Sequence, residues 1–235
     1  MARCTNVPNP LTGKACSHPT SRAAKKGLSA FVCRRCQAHR QRHGSFWCPS
    51  PPAATLRPYL AASLSYVRSH RTDPFIAAAL HGLESLLENA GPVEAATRLR
   101  GLSPAVRAKV ALARLREASI KPERLLAIVL AVSALMGADP SSVHVTREWR
   151  LVATAKATHR LASGTHRRWE AKDHNGKTIK LATLHAYPRS SGQVLRHLGE
   201  HLAKECELVL DHHLAAVVAS LAVTRQTSPT SFEHG

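Results

Sequence analysis

The chain has 235 residues, a formal net charge of +18 at neutral pH and six cysteines, and only 4% of it is aromatic. It contains no charge-free run of about 18 apolar residues, which excludes a membrane-spanning helix. Residues 1–4 do not lead into the apolar stretch of a secretory signal. Cysteines without such a signal favour metal binding in a reducing compartment over disulfides, so we expect a cytoplasmic protein.

Positive charge is concentrated in two parts of the sequence. Residues 1–72 contain twelve Lys and Arg and no acidic residue, and residues 143–190 contain ten basic and three acidic residues. Residues 73–142 are close to neutral and residues 191–235 are net acidic. Folding does not require the basic residues to be segregated in this way. A segment with a high positive charge does, however, attract the phosphates of a nucleic acid. We therefore expect a nucleic-acid partner, with DNA favoured over RNA, and no membrane partner.

Residues 1–50 form the first predicted unit, and they have too few apolar residues to bury a core unaided. Cys33 and Cys36 form a Cys-x-x-Cys pair that follows Cys4 and Cys16. Four thiolates are a common ligand set for structural Zn²⁺, which supplies folding free energy to small segments. We predict a zinc site at these four cysteines. Four other residues remain rival ligands: His18, His39, His43 and Cys48.

The segment from Cys33 to Ser45 resembles one found in small phage and mobile-element zinc-binding proteins. It reads Cys-Arg-Arg-Cys-Gln-Ala-His-Arg-Gln-Arg-His-Gly-Ser, and the family pattern is roughly Cys-x-x-His-Tyr-x-Arg-x-Arg-Arg-His-Gly. Cys33 matches the family's cysteine and Cys36 its histidine ligand, and both segments end in His-Gly. The chain lacks the aromatic residue after Cys36 and has a longer stretch between Cys16 and Cys33. The resemblance implies a zinc-binding module and a bacterial phage or mobile-element origin.

Arginines surround the Cys-x-x-Cys pair. If Cys36 begins a short helix, an arginine one turn further on is presented rigidly, and phosphate contacts need geometry as well as charge. The arginines predicted to contact nucleic acid here are Arg34, Arg35, Arg40 and Arg42.

Residues 53–140 are predicted to form a helical domain, beginning after a proline-rich boundary at residues 49–52. A first helix is expected over residues 53–69. Asp73-Pro74 and Ser103-Pro104 are N-cap and first-turn pairs for two more helices, ending near Gly91 and Ala118. The segment that starts at Pro122 is apolar on all sides, which predicts a helix in the core.

Residues 141–223 are predicted to form a basic α+β region. Thr146 caps a helix that extends to Ser163, and alternating residues flank Asn175-Gly176, a strong hairpin signal. A helix followed by such a hairpin is the outline of a winged-helix domain, and the alternative is a plain α+β domain with a basic hairpin. The residues predicted to contact nucleic acid in this region are Arg147, Arg150, Arg168, Lys172, Lys177 and Lys180, and the winged-helix interpretation adds Lys156 and Arg160.

A long C-terminal helix is expected over residues 192–223, followed by a disordered tail at residues 224–235. The helix segment is net acidic and its last turns are apolar on several faces, so they must pack on the chain's own core or on a partner. Self-association or a protein partner through this helix is therefore an open alternative.

Two patterns suggest catalysis. His197, Glu200 and His201 match the H-x-x-E-H motif of inverted zinc peptidases, but Gly199 weakens the helix and a chain with 15 histidines produces such patterns by chance. His174-Asn175 with His185 suggests an HNH-like nuclease, although turn chemistry also explains Asn175-Gly176.

The sequence as a whole predicts a mainly α protein with an N-terminal zinc-binding module, a helical middle, a basic hairpin and a long C-terminal helix. We expect it to bind DNA as an accessory or regulatory component associated with the nucleoid, and not to be an enzyme. The alternatives are a nuclease-like enzyme and a structural subunit of a nucleoprotein complex.

Overall fold

The computed structural model describes residues 3–5, 9, 12–20, 31–138, 146–162, 168–182 and 192–227. Within these ranges the chain is mainly helical, with one two-stranded antiparallel sheet. The α-helices are α1 (Arg34–His43), α2 (Ala53–Ser69), α3 (Pro74–Glu88), α4 (Pro104–Glu117), α5 (Pro122–Ala138), α6 (Arg147–His159) and α7 (Gly192–Thr227). The strands are β1 (Arg168–Lys172) and β2 (Thr178–Ala182), and short 3-10 helices span Arg98–Gly101 and Arg160–Ala162. None of the helices in these ranges combines the length and apolar character that a bilayer crossing requires.

Side-chain caps begin three helices at the predicted positions. Asp73 Oδ1 accepts hydrogen bonds from the N–H groups of Phe75 at 3.0 Å and Ile76 at 3.2 Å, at the start of α3. The hydroxyls of Ser103 and Thr146 accept N–H groups three residues further on, at 3.4 and 3.3 Å, at the starts of α4 and α6. Such bonds satisfy donors that have no partner inside the helix, so these predicted helix starts are confirmed.

The helix α5 lies at the centre of the fold. All ten residues from Leu125 to Ala134 are buried, which covers about three turns and therefore every face of the helix. The helices α2, α3, α6 and α7 pack around it. The prediction of a core helix after Pro122 is confirmed.

A single large hydrophobic core joins the segments on either side of residue 140. Its buried members include Leu83 of α3, Leu130 of α5, Val152 of α6 and Leu198 of α7. The boundary predicted between residues 140 and 141 therefore does not separate two cores. Apolar periodicity identifies the face of a helix that will be buried, but not the helix that will cover it.

The helix α7 extends four residues beyond the predicted end at Val223 and contacts each of the other six helices. Leu202, Val209 and Val217 have no exposed surface. These three residues therefore pack on the chain's own core, whereas Leu208 of the same helix is 57% exposed, so a partner contact through α7 stays a prediction. Most of the predicted tail, residues 228–235, lies outside the described residues.

The strands β1 and β2 form the predicted hairpin, with Lys172 opposite Thr178. The Gly176 N–H donates to the Asp173 carbonyl at 2.9 Å, and the Asp173 N–H donates to the Lys177 carbonyl at 2.9 Å. Gly176 has a φ of 75°, the left-handed conformation that closes a three-residue hairpin loop.

The helix α6 is a core element. Its five consecutive residues from Leu151 to Ala155 are all buried, and with about 3.6 residues per turn they cover the whole circumference. A helix that enters a nucleic-acid groove needs an open face. This packing argues against the winged-helix prediction, in which α6 would be the groove-seeking helix.

Candidate metal centre

Four cysteine thiols converge at the N-terminal end of α1. The Sγ atoms of Cys4, Cys16, Cys33 and Cys36 all lie within 4.8 Å of one another, and those of Cys16 and Cys33 are 3.7 Å apart. Four thiolates at about 2.3 Å from one zinc ion have sulfur–sulfur separations of about 3.8 Å. The cluster can therefore hold a single metal ion with little rearrangement, and its members are the four predicted ligands.

Pairing between distant segments brings Cys4 to the start of α1. The Cys4 N–H donates to the carbonyl of His18 at 2.9 Å, and the Thr5 N–H donates to the carbonyl of Phe31 at 2.8 Å. The segment around Cys4 thus lies beside His18, which is two residues after Cys16, and beside Phe31, which lies just before α1. The twelve-residue spacing of Cys4 and Cys16 is wider than a standard zinc knuckle because chain pairing, and not a tight turn, brings them together.

Backbone N–H groups point at two of the sulfurs. The N–H of Cys33 donates to Cys4 Sγ at 3.3 Å, and the N–H of Cys36 donates to Cys33 Sγ at 3.5 Å. Burial raises the pKa of the Cys33 thiol, but the Cys36 N–H and the neighbouring thiols outweigh burial and lower that pKa below its usual value. Burial raises the pKa of Cys16. The positive end of the helix dipole also favours negative charge at Cys33 and Cys36.

The rival ligands have other partners. The His18 ring contacts the Arg35 guanidinium at 3.3 Å. His39 donates to a backbone carbonyl at 2.8 Å, and His43 accepts a backbone N–H at 2.8 Å. Cys48 packs against the large core. Among the described residues, the four-cysteine cluster is the one grouping of side chains with the proximity that a metal ion needs.

A shared carboxylate fixes α1 to the helical core. Glu148 of α6 accepts hydrogen bonds from Arg40 Nε at 3.0 Å and Nη2 at 2.8 Å, and it also pairs with Arg196 of α7. Gly44 ends α1 with a φ of 73°, and a Cβ there would lie 2.4 Å from the Glu148 carbonyl oxygen. Arg40, predicted to contact phosphate, is therefore engaged in an ion pair that holds the cysteine module in place.

The other predicted arginines of α1 are free of that ion pair. Arg34, Arg35 and Arg42 are exposed, whereas Cys36 of the same helix is buried. A metal ion of charge +2 with four thiolates has a net charge of −2, which nearby arginines would partly offset. The first turn of α1 thus places exposed cations directly beside the cysteine cluster.

The predicted residues of the second basic region are more dispersed. On α6, Arg147 is exposed and Arg150 is half-buried, and Lys172 and Lys177 are exposed on the hairpin. The side chains of Arg168 and Lys180 lie outside the described part of the chain. Among the described elements, the strands β1 and β2 contact mainly each other. Nucleic-acid contact through the hairpin stays a prediction.

The H-x-x-E-H pattern lies on α7, where packing accounts for its glycine. A Cβ at Gly199 would lie 2.4 Å from the carbonyl oxygen of Leu151 in α6. His197 Nδ1 lies 3.4 Å from Glu200 Oε2, and burial lowers the pKa of His201. Within the described ranges these residues belong to no metal-ligating cluster.

The HNH-like pattern falls in the hairpin loop. The Asn175 N–H donates to Asp173 Oδ1 at 2.9 Å, and the His174 side chain is exposed. His185 lies outside the described residues. Turn formation therefore accounts for Asn175 and its neighbours.

Glu148 and Arg196 were not among the predicted site residues. Arg40 and Glu148 are 108 positions apart, and local sequence patterns carry no signal for a pair at that separation. The fold and the cluster together define a mainly helical protein whose N-terminal cysteines can hold a metal ion. No protein-family model, curated protein or solved structure matches the chain. Its function is therefore inferred from the chemistry of its own residues.

Proposed function

We propose that the four-cysteine cluster binds one Zn²⁺ and that the protein binds nucleic acid, DNA in preference to RNA, through the exposed arginines of α1. The observation that carries this proposal is the anchoring of α1 at both ends. Its start lies in the cysteine cluster, where a bound metal would fix Cys33 and Cys36, and the Arg40–Glu148 ion pair holds its last turns. Arginines on a fixed helix meet phosphate oxygens in a defined geometry, which adds specificity to charge attraction.

The donor set favours zinc. Thiolates are soft ligands, and a closed tetrahedral set of four is typical of structural zinc. The hydrophobic cluster around the site consists of Cys4, Val32, Cys33 and Cys36, with Cys16 and Phe46 at its edge. So small a cluster cannot stabilise its segment alone, whereas zinc binding supplies about 10–16 kcal/mol in peptides of this kind.

The charge distribution supports nucleic acid as the partner. The first 72 residues contain twelve Lys and Arg residues and no acidic residue. Such a concentration of positive charge attracts polyphosphates. We place the protein in the cytoplasm, at the nucleoid, as an accessory or regulatory component. The resemblance of residues 33–45 to phage and mobile-element proteins is the basis for proposing such an origin.

Metal binding is tested by native mass spectrometry of the purified protein. We expect one zinc per chain, and the Cys33→Ser variant should lose it because one of four ligands is removed. A protein isolated without metal that also fails to take up added Zn²⁺ would contradict the zinc assignment.

Nucleic-acid binding is tested by measuring affinity for duplex DNA, single-stranded DNA and RNA over a range of salt concentrations. The double variant Arg34→Gln, Arg35→Gln should lower the salt slope for duplex DNA by about 2, since each neutralised phosphate contributes about 0.9. The matched control is Arg98→Gln, Arg100→Gln, which removes two exposed cations from the 3-10 helix after α3. Equal effects of the two double variants would show that net charge, and not α1, carries the binding.

A further inference from the structure

A cleft with a basic lining opens where α2 ends and α5 begins. It has a volume of about 570 Å³, which lies within the range of small-molecule sites, about 300–1,000 Å³. One wall consists of the last turns of α2 and Arg71 in the loop that follows, and the other consists of the turn between α4 and α5 and the first turn of α5. Two segments that are distant in sequence, residues 64–71 and 119–124, therefore meet at this cleft.

Four cations and one carboxylate line the cleft. Arg68 and Arg71 come from the first segment, Lys121 and Arg124 come from the second, and the carboxylate is that of Glu123. A cleft lined mainly by one sign of charge concentrates the electric field between its low-dielectric walls. The first turn of α5 adds the positive end of its helix dipole to this field. The cleft therefore favours an anionic ligand.

The carboxylate neutralises only a part of this positive charge. Glu123 pairs with Arg71 at 3.4 Å, and the Arg71 side chain is 70% exposed, so the pair is weak and engages only some of the five guanidinium donors. In the part of the chain that the structure describes, the other three cations form no ion pair. One of them, Arg124, is half-buried. A partly buried guanidinium without a counter-charge is stabilised when an anion joins it.

The excess of positive charge lies in one half of a longer groove. A second depression of about 460 Å³ shares three charged residues with the cleft and continues along α3 to Glu84. In that half two carboxylates face two Lys and Arg side chains, whereas in the cleft one carboxylate faces four. An anion is therefore favoured in the half that contains Arg68 and Arg124.

The rest of the lining suits a ligand larger than a single phosphate. Leu64 and Ile120 contribute half-buried apolar side chains. Ser119 has a φ of 54°, the left-handed conformation that glycine usually adopts after the end of a helix. The serine thus adds a hydroxyl group to the lining at a position where glycine would be the less strained residue.

We propose that this cleft binds a small molecule that carries a diphosphate group. Four cations less the charge of Glu123 leave a net charge of +3, and a diphosphate ester carries about three negative charges near neutral pH. A nucleic-acid backbone has only one charge on each phosphate, and these phosphates are spread along the strand. A compact diphosphate in an enclosed site therefore matches the cleft better than a strand does.

This inference goes beyond the proposed function. The cleft is formed by α2, α5 and the turn between α4 and α5, and neither α1 nor the cysteine cluster contributes to it. Arg68 lies about 22 Å along α2 from Ala53, the end of the helix that follows the cysteine module. The cleft and the cysteine module can therefore be tested separately.

The test uses the full-length protein and pyrophosphate as the probe, measured by isothermal titration calorimetry at constant ionic strength. We expect one pyrophosphate per chain, bound about tenfold more tightly than inorganic phosphate, because a single phosphate engages fewer of the cations. Arg68→Gln and Arg124→Gln should each weaken binding about tenfold through the loss of a charge-assisted hydrogen bond. The matched control Arg57→Gln removes an exposed arginine of α2 that lies outside the cleft, and it should bind like the wild type.

Circular dichroism establishes that each variant is folded, and if Arg124→Gln is not folded, the exposed Arg68 decides. The inference is overturned if pyrophosphate does not bind, if inorganic phosphate binds as tightly, or if Arg57→Gln weakens binding as much as Arg68→Gln.

Duplex DNA is titrated in parallel, and we expect Arg68→Gln to keep an affinity for DNA close to that of the wild type. A loss of DNA affinity in Arg68→Gln equal to its loss of pyrophosphate affinity would identify the cleft as part of a nucleic-acid surface and overturn the small-ligand assignment. A wild-type protein that binds pyrophosphate in the cleft but binds no nucleic acid would contradict the proposed function and support this inference.

Discussion

Arg40 and Arg42 are two residues apart in α1 and have different surroundings. Arg40 pairs with Glu148 at 2.8 Å and lies 5.2 Å from the centre of the Phe46 ring. Arg42 is exposed and acts electrostatically on Lys156. Two residues of helix rotate a side chain by about 200°, so neighbours of the same type reach opposite faces. One arginine therefore supports the fold while the other is available to a ligand.

His43 makes the protein sensitive to acid. Its pKa is about 4 in the folded chain and near 6.5 when unfolded, so the unfolded state takes up a proton first as the pH falls. Stability is fully present above pH 6.5 and decreases as the pH falls toward 4. Measured by thermal unfolding from pH 7.5 to 4, the His43→Gln variant should show a smaller decrease than the wild type.

The matched control for His43 is His174→Gln, because His174 is exposed in the hairpin loop. That variant should follow the wild-type curve. If His43→Gln and the wild type lose stability in parallel over this range, other groups account for the acid sensitivity.

At the level of elements, the position of α7 depends on two points at which its backbone lies very close to the backbone of another helix. Gly192 lies against Gln41 of α1, and Gly199 lies against Leu151 of α6, and a Cβ at either glycine would come within 2.4 Å of a carbonyl oxygen. The absence of side chains at these two points lets one helix contact both the cysteine module and the core. Close packing of this kind leaves no room for small additions.

Substitution of Gly199 by alanine should be destabilising, although alanine is the better helix former. The gain in helix propensity is about 1 kcal/mol, while forcing apart two helix backbones costs about 1–3 kcal/mol or more. We expect a lower urea midpoint for Gly199→Ala. Gly137→Ala is the control, because a Cβ at Gly137 of α5 has no neighbour within 4 Å. It should be neutral or stabilising, and an equal response of the two variants would show that α6 and α7 can separate without cost.

At the scale of the whole molecule, the described residues form two hydrophobic clusters of unequal size. The large core extends from α2 to α7, whereas the small cluster surrounds the four cysteines. Contacts of α1 with α6 and α7 connect them. Since only the small cluster contains the four proposed ligands, metal binding and core stability should be separable.

Removal of the metal with a chelator should loosen the cysteine module and leave the helical core folded. Hydrogen exchange should accelerate for the amides of Val32, Cys33 and Cys36, while the amides of α5 remain protected. Far-UV circular dichroism should change little, because α1 contributes only 10 helical residues. Cys33→Ser should reproduce the effect, and Cys48→Ala, a cysteine outside the cluster, should not. Cooperative unfolding of the whole chain on chelation would show that the core depends on the metal.

The sequence by itself determined the features that depend on neighbouring residues. The caps at Asp73, Ser103 and Thr146 start helices where expected, the apolar segment after Pro122 forms the core helix, and Asn175-Gly176 lies in a hairpin loop. The convergence of Cys4, Cys16, Cys33 and Cys36 was also predictable, since Cys33 and Cys36 have the spacing of a ligand pair and follow the other two in a segment that is poor in apolar residues. Capping, periodicity and turn formation each act within a few residues, so a linear pattern records them.

Only the tertiary structure decided which charged side chains remain exposed and which helices share a core. The Arg40–Glu148 pair and the Lys156–His43 contact each join residues more than 100 positions apart, and α6 is buried by packing against α5 and α7. Such contacts depend on how α6 and α7 pack against α1, and no local pattern specifies that packing. For the same reason the sequence could predict a basic protein with a cysteine cluster, but not which arginines of α1 the fold leaves exposed.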